Sequence, residues 1–159
     1  MNKSLSEQGF RMPAEWEKQR SVWIIWPYNK NDWPGLFKFI PKTVSEIVSI
    51  VSKTQTVNLI IKTKKDIKLI RKELKQGNYK KNNVKFHVIA SDRIWIRDSG
   101  PIFLRNTKNK KKIFLNFKFN GWSKYKNFKN DNKINDYISK FANLEKINPI
   151  LKKNRIKKK

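Results

Sequence analysis

The chain has 159 residues, a formal net charge of +26, 38% hydrophobic and 13% aromatic residues, and no cysteine. That length suits one domain with a modest core, and a chain without cysteine holds no disulfide and no thiolate metal site. No apolar run reaches the roughly eighteen residues of a membrane helix, and the start, MNKSLSEQGFRMPAEW, lacks the apolar stretch of a secretory signal, so a cytoplasmic protein that needs no membrane is expected.

Along the chain, Ser21 to Pro27 (SVWIIWP) reads as a buried strand closed by proline. YNKNDWPGL after it clusters turn residues and reads as a loop. Lys42 to Lys53 places Val44, Ile47, Val48 and Val51 at helical spacing, with Pro41 suited to the helix start. Thr56 to Lys62 (TVNLIIK) is a second strand. KKDIKLIRKELKQG follows as an amphipathic helix, with Ile67, Ile70 and Leu74 on one face and Gly77 as its stop. Asn83 to Ala90 (NVKFHVIA) is a third strand, carrying the lone histidine, His87. In DRIWIRDSGPIF, Ile94 and Ile96 alternate with Trp95 and Arg97, which predicts a strand ending at Asp98, where Ser99, Gly100 and Pro101 break it. GPIFLRN and KKIFLNFKFNGW suggest a hairpin across TKNK. Asp131 to Leu144 predicts a third helix, with Ile134, Ile138 and Phe141 on its core face. The order is that of a mixed α/β fold. Residues 151–159 have no apolar periodicity and are expected to form a basic disordered tail after a domain over residues 1–150.

The charge has two readings. The 31 lysines, 19 isoleucines and 18 asparagines all have A/T-rich codons, so codon bias explains most of it. The alternative is a basic nucleic-acid-binding module held to phosphates by counterion release. The lysines are scattered, except in KNKKK (Lys108 to Lys112) and the last eight residues. Arginine, the better reader of bases, numbers seven. Non-specific adhesion to nucleic acid is expected at low salt.

The chemical question lies at Asp98. A carboxylate accepts the paired N–H donors of a planar guanidinium bidentately, and an indole face beside it adds about 0.5–2 kcal/mol of cation–π attraction. The competing reading is an aspartate that caps the DSGP turn through its own backbone. Trp95 reads equally as plain core. Asp92 and Arg97 suggest a local ion pair. Trp16, Trp23, Trp26 and Trp33 read as packing residues, and Asp32 as a candidate for the mouth of a pocket.

Four stretches in order, GFRMPAEWEKQRSVWIIWP, NDWPG, DRIWIRDSGPIF and FKFNGWSKY, resemble the N-terminal part of the agmatine deiminase family, also called the bacterial (Porphyromonas-type) peptidylarginine deiminases. The resemblance runs from about Gly9 to Leu144. It implies a pentein-type α/β-propeller, of which this chain would hold about two of five strand–helix units. It implies hydrolysis of agmatine to N-carbamoylputrescine and ammonia, a step toward putrescine, by a cysteine nucleophile, a histidine acid/base and guanidinium-gripping carboxylates, with no cofactor or metal. Asp98 matches the guanidinium-binding aspartate, Trp95 the aromatic of the same motif, and the resemblance implies that Trp122 in NGW lies at the pocket rim. Gly100 and Pro101 would shape the turn that aims Asp98. The family's second carboxylate, histidine and cysteine fall beyond the point matching Leu144, and His87 does not match the family's acid/base. The chain is therefore expected to be an N-terminal deiminase fragment, inactive alone, or one half of a split enzyme completed by a separately encoded C-terminal half.

Overall fold

The computed structural model of the chain describes residues 3–149; the expected tail at 151–159 lies outside them. The first half alternates strands and helices. Strand β1 (Phe10–Arg11) is followed by β2 (Ser21–Ile25), α1 (Ile40–Ser52), β3 (Thr56–Ile61), α2 (Asp66–Gln76) and β4 (Val84–Val88). The second half comprises a single-turn helix α3 (Ile96–Ser99), β5 (Ile102–Asn106), β6 (Lys112–Leu115), α4 (Asp131–Ala142) and β7 (Glu145–Ile147).

The strands form two open sheets. One is parallel, in the order β2–β3–β4; the other runs β1–β5–β6–β7. The first needs crossovers long enough to hold a helix, and α1 and α2 supply them. Strand β3 is central and buried on both faces, which is why it reads as an unbroken apolar run rather than an alternation. Val57, Leu59 and Ile61 pack with Val44 and Val48 of α1 and Ile70 and Leu74 of α2. Ile60 faces the other way, against Ile25 of β2 and Ile134 and Ile138 of α4. Helix α4 thus closes the free face of the parallel sheet before the chain returns as β7, parallel to β6. Asn143, in the left-handed conformation (φ 50°), ends α4. Among the described residues, no helix is long and apolar enough to cross a membrane.

The predicted strands and helices through β4 form within about two residues of their expected bounds, and the hairpin is β5 with β6. The differences are informative. The stretch from Asp92 to Arg97 is not a strand but coil leading into α3, so Asp98 sits on a helical turn rather than at a strand end. Its backbone has no strand to pair with, while Ile94 and Ile96 bury themselves at the base of α4. The strand expected to run on to Trp122 stops at Leu115. Trp16, expected in the core, is 90% exposed. The short strands β1 and β7 are additions, too brief to show periodicity.

Since Ile60 joins the parallel sheet to α4, Ile60→Ala is expected to cost about 2–5 kcal/mol, the usual range for a deep aliphatic truncation. A urea midpoint unchanged from wild type would contradict this account of the core.

Candidate functional site

The segment between β4 and α3 is held by a reciprocal exchange with the start of α4. Asp131 Oδ1 accepts the backbone N–H groups of Asp92 (2.8 Å) and Arg93 (3.2 Å). In return the Asp92 carboxylate accepts the Asn130 backbone N–H and its side-chain amide, both at 2.8 Å. Asp92 is therefore engaged with Asn130, and the expected Asp92–Arg97 pair does not form. The Tyr28 hydroxyl donates to the Ser91 carbonyl oxygen, tying the same segment to the end of β2.

Arg93 is buried although it carries a charge. Its guanidinium donates to Asp32 Oδ1 and to Asn127 Oδ1 and lies 3.8 Å over the Tyr125 ring. Asp32, read from the sequence as a pocket-mouth residue, is instead a buried partner in this ion pair. Asp32 Oδ2 and Arg93 Nε have no partner among the described residues. A small concavity lined by Tyr28, Asp32, Trp33, Arg93 and Ile94 runs beside this pair and does not include Asp98.

Three residues on, α3 presents the candidate site. Its first-turn backbone donors close on Trp95: the Asp98 N–H reaches the Trp95 carbonyl at 3.2 Å. Gly100 ends the turn with its N–H on the Ile96 carbonyl at 2.7 Å, and a Cβ there would run into that same carbonyl. A side chain is thus excluded at Gly100. The Asp98 carboxylate is exposed. Its Oδ1 accepts one long bond, 3.3 Å, from the Trp122 indole N–H, and Oδ2 has no protein partner among the described residues. Arg97 pairs with Glu15 at 2.6 Å, a contact that raises the arginine pKa. Trp95 is 44% exposed, with its ring 5.6 Å from Trp33.

Trp122 reaches Asp98 from a tight turn. Gly121, Trp122 and Ser123 all have positive φ, 64°, 56° and 57°. Such a conformation is an outlier for a bulky residue and costs on the order of 1–3 kcal/mol. Gly121 must stay glycine, because a Cβ would meet the Phe128 ring at 2.8 Å. The Trp122 ring stands edge-on to Phe119 (4.8 Å) and to Tyr125 (6.0 Å).

The structure therefore brings Asp98 and Trp122 into direct contact, with Trp95 on the turn that carries the carboxylate. His87 lies elsewhere, buried in β4 with Nε2 3.0 Å from Asn58 Oδ1 and Nδ1 3.1 Å from the Tyr137 hydroxyl. Burial, then Lys85, lowers its pKa. This is a neutral core histidine. Sequence reasoning passed over Arg93, Asp131 and Tyr125. The one signal was the Asn130–Asp131 pair at a helix start; a lone arginine gives none.

The family model for Porphyromonas-type peptidyl-arginine deiminase matches residues 11–152. An agmatine deiminase of Pseudomonas aeruginosa is 28% identical over 114 residues, 72% of this chain and 29% of that protein. A candidate agmatine deiminase of Streptococcus mutans is 30% identical over 121 residues, 76% of this chain and 32% of that one. Among solved structures, the agmatine deiminase of Enterococcus faecalis aligns over 93% of this chain and 40% of its own, with a TM-score of 0.78 at 21% identity. A substrate-bound C. jejuni agmatine deiminase aligns over 87% and 39%, with a TM-score of 0.70 at 29% identity. The chain spans about a third of the length of the curated relatives it matches.

The anchoring carboxylate generates a pH prediction. Burial pushes the Asp131 carboxyl up to about 6, against the pull of its two backbone N–H donors. Its folded pKa exceeds the unfolded value of about 3.9, so its contribution is full below about pH 4 and is lost as pH rises through about 6, on the order of 2 kcal/mol. Asn at this position keeps the acceptor without the charge. Asp131→Asn is expected to flatten the dependence of thermal stability on pH across that window, whereas equal slopes in both proteins would refute the assignment. Glu17, held down to about 2 by Arg11, acts with the opposite sign and only at lower pH.

Proposed function

The chain belongs to the Porphyromonas-type peptidyl-arginine deiminase family, and on that premise we propose that it supplies the guanidinium-receiving part of an agmatine-deiminase-type active site. The observation that carries this reading is the Asp98 carboxylate. It is exposed, has one oxygen without a partner among the described residues and the other in a single long bond to Trp122, and its neighbouring arginine donates to Glu15 instead. A turn-capping aspartate would accept a backbone N–H of its own turn, whereas the one bond to the Asp98 carboxylate among the described residues comes from Trp122. Here the free oxygen accepts one guanidinium N–H, the Trp122 bond yields or is shared for the second, and Trp95 and Trp122 offer aromatic faces to the cation.

The substrate class is a small guanidinium compound, with agmatine favoured by the agmatine deiminase relatives. The full reaction replaces a guanidinium nitrogen with water's oxygen, giving N-carbamoylputrescine and ammonia, and serves putrescine formation. Attack on the guanidinium carbon needs an activated nucleophile, which the family reading assigns to a thiolate. The 159 residues contain no cysteine, so they do not themselves supply that thiolate; the reading is that of an N-terminal deiminase part, inactive alone, or of one half of a split enzyme. In this reading the two open sheets are two units of a five-unit propeller, residues 1–150 are its N-terminal part, and the protein works in the cytoplasm. The basic nucleic-acid module gains no support from the family match, which spans residues 11–152.

The purified chain alone is expected to release no ammonia from agmatine. It should still bind the cation weakly, and Asp98→Asn should weaken that binding about tenfold, the loss of one charge-assisted pair. Turnover that persists through re-purification and disappears in Asp98→Ala would overturn the inactive reading. Binding unaffected by Asp98→Asn would overturn the receptor reading.

A further inference from the structure

The buried Arg93 has no part in the chemistry just described, yet it lies where the site's supports meet. On one side its guanidinium holds Asp32, whose sequence neighbour Trp33 packs on Trp95. On the other it holds Asn127 and covers the face of Tyr125, whose edge supports Trp122. Its own backbone N–H is fixed by Asp131. One side chain thus spans three separate segments: the loop after β2, the coil before α3, and the turn between β6 and α4.

From this arrangement we infer that Arg93 is the positioning residue of the Asp98 site. Its planar fork joins the loop carrying Trp33 to the turn carrying Trp122, and so sets where both tryptophans stand relative to the carboxylate. A lysine cannot do this, because it offers one point charge instead of divergent donors in a plane and does not stack flat on Tyr125. Simple stabilisation explains the cluster poorly. The pair leaves Asp32 Oδ2 and Arg93 Nε buried and unpartnered, a cost that a well-packed apolar replacement avoids. The cluster also holds Trp122 in a backbone conformation that a large side chain rarely adopts, which requires restraint from outside the turn. Tyr125 and Asn127 supply that restraint through Arg93. The inference builds on the receptor reading of Asp98, but its first readout does not depend on it.

The test uses the full chain with nitrogen-15 in its tryptophan indoles. The Trp122 N–H signal is assigned by its loss in Trp122→Phe and reports the bond to Asp98 without any ligand. Three variants are compared: Arg93→Lys, the surface change Asn127→Ala, and the paired apolar replacement Asp32→Leu with Arg93→Met, which leaves no lone buried charge. In each folded variant the Trp122 indole signal should move toward that seen in Asp98→Ala, which removes the acceptor, while the Trp23 signal, from a ring packed on His87 and Phe141, stays in place. Agmatine titration should then show affinity reduced about tenfold or more, as expected when a binding group is misplaced by around an ångström. Asn127→Ala keeps the test open if the core replacements fail to fold. An unmoved Trp122 signal in Asn127→Ala would overturn the positioning role, as would an unmoved signal in either core replacement that folds. If Asp98→Asn itself leaves agmatine binding unchanged, the receptor reading falls, and a displaced Trp122 signal still stands as evidence for the tether.

Discussion

The candidate site depends on one exchange of hydrogen bonds, between Asp131 at the start of α4 and the backbone of Asp92 and Arg93. Those two N–H groups would otherwise need a neighbouring strand. The parallel sheet ends at β4, so no strand is available on that side. A buried carboxylate substitutes for it, and the chain can leave the sheet and wind into α3 with its donors satisfied. Asp92 answers by accepting from Asn130. The two aspartates cross-link the coil and the helix end from both directions, and Ile134 and Ile138 set the depth of that helix against β3. Core packing therefore reaches Asp98 through a few covalent steps.

The unfavourable local choices gather within that same region. Trp122 takes a left-handed backbone, Asp32 and Arg93 each leave a buried polar atom without a partner, and Asp131 is buried far enough to raise its pKa. Elsewhere α1 begins with proline, α4 ends on a left-handed asparagine, and β3 is apolar because both its faces are covered, although Gln55 also buries an oxygen unpartnered among the described residues and Lys110 also takes a positive φ. Costs that gather near an exposed carboxylate with a vacant acceptor fit a site where stability yields to function.

That distribution also explains how far the sequence could be read. The elements with strong periodicity, from Ser21 to Val88 and again over α4, were legible because burial imposes period and composition on them. The WIRDSGP stretch carried the family resemblance but not its own structure. Its alternating Ile94 and Ile96 imitate a strand, while the fact that decides its shape, an acceptor on Asp131 some forty residues away, leaves no local trace. Asp98 and Trp122 could be paired only through family resemblance, since no pattern links residues so far apart in sequence. Arg93 was invisible for a related reason. A buried arginine is defined by what surrounds it, and among seven arginines and 31 lysines a single basic residue carries no signal.

The overall charge acts against the proposed ligand. A chain of net charge +26 repels a cation at long range, and agmatine carries two positive charges at neutral pH. Screening limits that repulsion to roughly 8 Å at physiological ionic strength, so the local arrangement decides the outcome. Within that distance the structure disposes its cations carefully. Arg97, adjacent to Asp98, is drawn off by Glu15. Arg93, five residues before Asp98, is buried against Asp32 and beneath Tyr125. What remains beside the carboxylate is aromatic, and an indole face is attractive to a cation where a lysine would not be. Glu15 and Asp32 thus pair with the two arginines nearest Asp98 in sequence. Under the proposed reading, Asp98 keeps acceptor capacity for a guanidinium because these two arginines donate to Glu15 and Asp32 and not to it.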